Sequence, residues 1–315
     1  MPEVSIIIPI FNEADNIELL FTELAAELAL LNKKYELIFV DDGSSDGSSL
    51  LLDQIASDND NTRVLHMRRN YGQTAAIMAG ISASKGDILV PMDGDLQNDP
   101  ADIGMLIDKL REGYDVVSGW RKDREDNPLS RKIPSVIANK IISKIFKISL
   151  HDYGCTLKAY RRSVLENIRL YGEMHRFIPI YAAWEGGRVT EMVVSHRPRK
   201  HGVSKYGIDR TIRVFLDIFL LYFMDRALDR PIQFFGKFGL YSLVIAGLFL
   251  VTAIALKLLE IRDLVATPLL LIGLTFALSG VIFLLMGVLA ELQARTYYES
   301  QNKNPYSIRK DEEKE

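Results

Sequence analysis

The chain has 315 residues, enough for one large domain plus an accessory part. With 38 Lys and Arg against 41 Asp and Glu the formal net charge is −3, which excludes a polycation built to coat nucleic acid. The single cysteine, Cys155, excludes an internal disulfide and disfavours a cysteine-based zinc site.

The chain opens on Val4-Ser5-Ile6-Ile7-Ile8, ended by Pro9, which predicts a strand buried on both faces. Residues 15–31 carry Ile17, Leu20, Leu24, Leu28 and Leu31 at helical spacing. Leu37-Ile38-Phe39-Val40 reads as a second strand, stopped by Asp41-Asp42-Gly43. Residues 48–56 read as a helix, Val64-Leu65 as a third strand, 74–82 as a helix and 88–92 as a fourth strand. Strands alternating with helices imply right-handed βαβ units and a mostly parallel sheet. Ligands of such sheets sit beyond the carboxyl ends of the strands, which selects residues 9–13, 41–46 and 93–97. No G-x-x-x-x-G-K-[ST] loop occurs, and no G-x-G-x-x-G follows the first strand, which argues against a P-loop nucleotidase or a simple dinucleotide oxidoreductase.

Farther along, residues 134–150 form an amphipathic candidate with Ile137, Ile141, Ile145 and Ile148 on one side and Lys140, Lys144 and Lys147 flanking them. It suits an anionic membrane surface or packing on its own sheet equally well. Residues 207–224 are helical, with Ile208, Ile212, Phe215, Phe219 and Tyr222 recurring. Residues 238–256 and 268–290 are nearly uncharged apolar runs, long enough at ~1.5 Å per residue to cross a ~30 Å hydrocarbon core. Arg226, Arg230 and Lys237 precede the hairpin and Arg295, Arg309 and Lys310 follow it, an asymmetry that puts both ends in the cytoplasm. The expected organisation is an α/β domain over 1–205, juxtamembrane interfacial helices over 206–230, two membrane helices within 231–294 and a tail over 295–315. Gly236, Gly239 and Gly247, or Gly273, Gly280 and Gly287, offer faces for close helix packing and are compatible with a homo-oligomer.

The sharpest chemical signal is Asp93-Gly94-Asp95-Leu96-Gln97. Two carboxylates two residues apart at a strand end can reach one ion. Mg²⁺ and Mn²⁺ favour oxygen ligands and bridge to a diphosphate, offsetting charge on a leaving group. Gln97 adds a neutral oxygen. In Asp41-Asp42-Gly43-Ser44-Ser45-Asp46 the carboxylates can accept from a nucleobase or ribose, or serve as turns and helix caps; Asp46 suits a cap and Asp42 a ligand. Arg121 follows the apolar pair Val116-Val117, and arginine offers bidentate geometry to phosphate. Arg197 and Lys200 read best as a solvated basic loop, and Cys155 as a small packed residue.

Taken together, Val4-Ser5-Ile6-Ile7-Ile8-Pro9, Asn12-Glu13, Asp41-Asp42-Gly43-Ser44 and Asp93-Gly94-Asp95 resemble family 2 glycosyltransferases of the GT-A fold, a Rossmann-like nucleotide-sugar domain. Asn70-Tyr71-Gly72-Gln73, Asp152-Tyr153-Gly154-Cys155, Lys158-Ala159-Tyr160-Arg161-Arg162, Ser204-Lys205-Tyr206 and the two apolar runs are similar to the polyprenyl-phosphate branch, which holds undecaprenyl-phosphate glucosyl- and aminoarabinosyl-transferases and, more distantly, dolichol-phosphate mannose synthase. The resemblance implies inverting transfer of one sugar from a nucleotide-diphosphate sugar, with UDP-glucose the first expectation, to undecaprenyl or dolichyl phosphate. It implies Pro9, Asn12, Glu13, Asp42 and Asp93 at the nucleotide and Asp95 and Gln97 on Mg²⁺ or Mn²⁺. It places Arg121, Arg131 and Ser135 at the acceptor phosphate, Arg199 and Lys205 over the donor diphosphate, and Asp152 in a catalytic position. A phosphate acceptor is already anionic near neutral pH, so Asp152 suits positioning better than proton removal. Relatives often carry an acidic residue before the Ser-Lys pair, where this chain has Val203. The alternatives are transfer to another membrane lipid and a nonenzymatic nucleotide-sugar-binding membrane protein. A processive polysaccharide synthase is disfavoured by the lack of Q-x-x-R-W.

Overall fold

A computed structural model describes residues 1–31, 33–122, 133–165, 168, 170, 172–198, 209–227 and 230–300. Of the sequence-predicted site residues, Arg131, Arg199 and Lys205 lie outside these, and Ser135 falls within a described helix by its backbone. The chain divides into two compact units, Met1–Asp217 and Ile218–Glu315.

In the first unit the strands β1 (Val4–Ile10), β2 (Tyr35–Asp41), β3 (Thr62–His66), β4 (Ile88–Pro91), β5 (Val116–Trp120), β6 (Lys158–Arg161) and β7 (Val189–Val193) form one sheet in the order β3-β2-β1-β4-β6-β5-β7. Every pairing is parallel except those of β6, which runs antiparallel to β4 and β5. The helices between the strands are α1 (Ala14–Leu30), α2 (Ser48–Asp58), α3 (Gln73–Ala83), α4 (Asp102–Arg111), α5 (Ile133–Phe146) and α6 (Ile178–Trp184).

Side-chain alternation along β1 explains the layering. Ile6, Ile8 and Ile10 meet Ile17, Leu20 and Leu24 of α1 and Ile103, Leu106 and Ile107 of α4. Ile7 faces the other way, with Ala76 and Ile77 of α3 and Ile178 of α6. Each fully buried Ile or Leu among these contributes roughly 1.5–3 kcal/mol of transfer free energy. Gly80 lets α3 lie directly on the sheet, since a Cβ there would stand 2.3 Å from Ile7 Cγ2.

Pro9 sits in a central strand, where a missing N–H is normally costly. Ile10 O accepts from Asp42 N on the β2 side and Ile7 O accepts from Met92 N on the β4 side, so Pro9 faces β4. The β1–β4 register ends at Ile7↔Pro91, so no ladder bond is lost there. The β1–β4 pairing ends at this point.

Two expectations need correction. Among the described side chains of α5, Ile142 and Phe146 are buried, continued by Leu150, while Ile141 is exposed beside Lys140 and Lys144 and Ile145 is half-buried. Over these residues the buried stripe lies one position beyond the predicted Ile141 and Ile145; Ile137 lies outside the described side chains. The helix packs on its own domain, with Phe146 edge-on to Trp184 and Ser143 Oγ donating to Leu150 O at 3.1 Å. Arg197 is no solvated loop residue: its guanidinium pairs with Glu23 at 2.5 Å and Asp99 at 2.8 Å.

The helix α7 (Asp209–Ala227) precedes α8 (Pro231–Leu258) and α9 (Leu269–Ser300). The last two have mean hydropathy 2.3 and 2.6 over their most apolar stretches and keep most of that surface exposed, Leu240, Val244, Leu248 and Val251 among it. Both are long and apolar enough to cross a membrane. They touch through glycine. A Cβ on Gly239 would stand 3.0 Å from Gly280 O, and one on Gly280 would stand 3.0 Å from Gly239 O. Gly273 and Gly287 make similar approaches, whereas Gly236 and Gly247 face open space, so the packing face draws on both glycine sets the sequence suggests.

Candidate active site

At the β1–β2 end, Asn12 adopts a left-handed conformation, φ 52°, which asparagine tolerates. Its N–H donates to Ser44 Oγ at 3.0 Å and its Oδ1 accepts from Ser45 N at 2.8 Å. Glu13 N donates to Ser48 Oγ, and its carboxylate accepts from Asn16 Nδ2 at 2.6 Å. Asp46 accepts from Ala14 N with one oxygen and from Ser48 N and Oγ with the other, so it serves the starts of both α1 and α2. Asp42 is buried and accepts from Tyr71 N at 2.7 Å and Gly72 N at 2.8 Å. Burial nonetheless pushes its carboxyl above the ordinary range. The same residue thus ties the loop before α3 to the sheet, a role the sequence does not advertise.

At the β4 end, Gly94 is wedged against β1, where a Cβ would meet Ile10 Cδ1 at 2.5 Å. Leu96 is buried with φ 61°, a costly conformation for leucine. That turn brings Gln97 N within 3.2 Å of Asp95 Oδ1 and sets Asp93, Asp95 and Gln97 around one short loop. Gln73, at the start of α3, donates to Asp93 Oδ1 at 2.6 Å. Burial first, then the charge of Asp95, push the Asp93 carboxyl up to about 6, against a hydrogen bond from Thr156 and the charges of Arg121 and Arg176. The segment after β7 is stitched to the same loop: Arg197 N donates to Gln97 O at 2.9 Å, and Asn98 bridges His196.

At the β5 end, Arg121 makes a two-pronged ion pair with Asp152, Nε to Oδ2 at 2.7 Å and an outer nitrogen to Oδ1 at 3.1 Å, both side chains largely buried. The Asp152 loop is held from below by Lys158, fully buried, whose ammonium donates to Tyr153 O at 3.1 Å and to Cys155 O. Burial pulls that ammonium down to about 8. Cys155 is buried, its thiol near Leu157 O.

With this geometry in view, comparison with known proteins is decisive. The family model for glycosyl transferase family 2 matches residues 5–169. The chain belongs to glycosyl transferase family 2. It is 43% identical over 314 residues to a dodecaprenyl-phosphate galacturonate synthase of Rhizobium johnstonii, covering 98% of this chain and 92% of that one. It is 35% identical over 307 residues to an undecaprenyl-phosphate 4-deoxy-4-formamido-L-arabinose transferase of Aeromonas hydrophila, covering 97% and 92%. Among solved structures, glucosyl-3-phosphoglycerate synthase of Mycobacterium tuberculosis, in complex with Mn²⁺, UDP and phosphoglyceric acid, superposes with TM-score 0.55 at 18% identity, covering 70% of this chain and 78% of that one. The fold is GT-A.

For a family 2 glycosyltransferase the carboxylate turn passes a chemical test for a divalent cation. Its donors, Asp93, Asp95 and Gln97, are hard oxygens, and the two carboxylates crowd negative charge that a cation would relieve. Among the described residues no three His, Cys, Asp or Glu side chains gather to enclose a metal. An ion held there would need substrate oxygens and water to complete its shell, as Mg²⁺ bridged to a diphosphate does.

Two further residues that act on Asp93 escape sequence reasoning. Gln73 reaches Asp93 from α3 although its motif implies no such contact. Arg176 lies on a turn, Met174–Phe177, docked on α3: Thr74 Oγ1 donates to Gly172 O and meets His175 Nδ1, both at 2.6 Å. Nothing in the local sequence signals either; a chain fold that returns residue 172 to residue 74 does.

Proposed function

We propose that the protein transfers one sugar from a nucleotide-diphosphate sugar to a polyprenyl phosphate at the cytoplasmic face of the inner membrane. Residues 1–205 would carry the chemistry, 206–230 lie at the interface and 231–294 anchor the chain. The observation that carries this reading is the end-to-end likeness to polyprenyl-phosphate sugar transferases, 43% identity over 98% of the chain in one case. A carboxylate turn and an arginine–aspartate clamp, close enough that the Arg121 charge acts on Asp93, support it.

The acceptor oxygen attacks the anomeric carbon, the bond from that carbon to the nucleoside diphosphate breaks, and the configuration inverts. The acceptor oxygen is already anionic, so no proton needs removing. Asp95 and Gln97, with Asp93, would hold Mg²⁺ or Mn²⁺. The bound cation supplies Lewis-acid stabilisation of the departing diphosphate. Asp93, Pro9, Asn12, Glu13 and Asp42 shape the nucleotide side. Arg121, oriented by Asp152, meets the acceptor phosphate, joined by Arg131 and Ser135, and Arg199 and Lys205 close over the donor. Asp152 acts by positioning, since both its oxygens already accept from Arg121. The sugar is a UDP-linked hexose or hexuronate; glucose follows from the sequence resemblance and galacturonate from the relative's name.

Incubating the purified protein with undecaprenyl phosphate, Mg²⁺ and separate UDP-glucose, UDP-galacturonate and UDP-amino-sugar donors, and weighing the lipid, tests this. One donor should add a single sugar mass to the lipid phosphate. No gain in mass on undecaprenyl phosphate with any of these donors would reject the reading.

A further inference from the structure

His66 ends β3 with both ring nitrogens committed to carboxylates. Nδ1 lies 3.0 Å from Asp41 Oδ2 and Nε2 lies 2.9 Å from Asp53 Oδ1. A neutral imidazole has one N–H and one lone-pair nitrogen, so it would turn a lone pair on one of these carboxylates. Only the imidazolium donates to both. Of the elements packed around the ring, β2 presents Asp41 and α2 presents Asp53. Asp41 is buried; its Oδ1 accepts from Ser44 N at 2.9 Å, and its Oδ2 also accepts from Ser49 Oγ at 2.6 Å. Ser44 Oγ in turn accepts from Asn12 N, and Ser45 N donates to Asn12 Oδ1. A line of hydrogen bonds thus runs from His66 through Asp41 and Ser44 to Asn12.

We infer that His66 is a positioning residue for the donor site: as an imidazolium it clamps Asp41 against α2 and so fixes the 42–46 loop and Asn12 in the shape that receives the nucleotide. This rests on the reading of this edge as the nucleotide side. The hydrogen bond to Asp41, opposed by burial and joined by Asp53, raises the His66 pKa above its ordinary value. A raised histidine contributes fully below the ordinary value of about 6.5, and the contribution is lost as pH rises through the raised one. Donor affinity therefore declines on the alkaline side.

The test is UDP binding by calorimetry with saturating Mg²⁺, on full-length protein in detergent from pH 6.5 to 9, for wild type, His66→Gln and His66→Arg. His66→Gln should weaken UDP about tenfold near pH 6.5, the size of one lost charge-assisted hydrogen bond, and leave kcat at saturating donor little changed. His66→Arg, a permanent cation with a fork that reaches two carboxylates, should restore affinity to within about twofold and flatten the alkaline decline. Ring-nitrogen NMR shifts of wild-type His66 should report an imidazolium at pH 6.5 whether or not a variant folds. Unchanged UDP affinity in His66→Gln, an arginine variant as weak as glutamine, or a neutral wild-type ring at pH 6.5 would overturn the inference while leaving the donor-site reading intact. Failure of wild-type protein to bind UDP would bring down both.

Discussion

Along the β1–β2 end of the carboxyl edge, Asp41, Asp42 and Asp46 accept from backbone amides, serine hydroxyls and His66. Although burial opposes it, those hydrogen bonds hold Asp41 and Asp46 below the ordinary carboxylate range. Along the β4 end, Asp93 and Asp95 stand two residues apart on a turn that forces Leu96 left-handed, and Asp93 is pushed up to about 6. The first group builds the walls of the site: hydrogen bonds stabilise the Asp41 and Asp46 charges from within, while burial raises Asp42 despite its two amide donors. The second sets two carboxylates on one short turn, where burial and the Asp95 charge raise Asp93 against the opposing charges of Arg121 and Arg176, a place where a cation and a diphosphate would be useful.

The comparison breaks most sharply at Asp95. Asp95→Ala should lower metal-dependent turnover by at least about 10²–10³-fold, the loss seen when a group stabilising transition-state charge is removed, with the thermal unfolding midpoint of the domain nearly unchanged. A variant that unfolds instead would move Asp95 into the walls. Asp152→Ala should act the other way, through the fold: it strands the buried Arg121 guanidinium and should cost about 3–5 kcal/mol in denaturant unfolding of the domain. Asp42→Ala leaves the amides of Tyr71 and Gly72 without their carboxylate acceptor and should cost about 1–3 kcal/mol, read by the same unfolding curves.

A pH titration sharpens the contrast without mutation. The folded, metal-free Asp93 pKa of about 6 lies above the ordinary 3.8, so between these values the folded state holds a proton that the unfolded state lacks. This group therefore favours folding at low pH, and that contribution fades as pH rises through about 6. Cation binding needs the carboxylate and runs oppositely: Mn²⁺ affinity, measured by electron paramagnetic resonance, should fall about tenfold per pH unit below 6 and level off above 7. The smallest effect is expected at Gly247, in the two apolar helices α8 and α9. Gly247→Ala adds a methyl to open space and should shift hairpin stability by no more than about 1 kcal/mol, whereas Gly280→Val meets the Gly239 carbonyl and should cost about 1–3 kcal/mol in a detergent unfolding assay.

Much of this was readable in the sequence. The apolar runs Ile6-Ile7-Ile8, Leu37 to Val40 and Ile88 to Val90 became parallel strands because continuous burial leaves them no other place. The polar groups that end them gathered at one edge, because parallel strands share their carboxyl ends. What stayed hidden depends on distant returns of the chain. The strands β6 and β7 are short and carry polar residues, and β6 runs against the alternation that predicts a parallel sheet. Lys158 reads as a charged strand residue, yet its ammonium satisfies two carbonyls of the Asp152 loop. Arg197 looks solvated until Glu23 and Asp99, far off in sequence, close on it. Over its described side chains the α5 stripe lies one position beyond the predicted one, because an amphipathic pattern flanked by lysines fits two neighbouring faces and a contact distant in sequence, Phe146 on Trp184, selects one.

The most direct measurement is the mass of the lipid product formed from undecaprenyl phosphate by wild-type and Asp95→Ala protein in Mg²⁺, each given the preferred donor. A gain of one sugar residue on the lipid phosphate with wild-type protein, absent in the variant and absent in EDTA, is the expected result. Equal product from Asp95→Ala, or a sugar gain that survives EDTA, would contradict the proposal that this carboxylate turn gathers the cation and the donor.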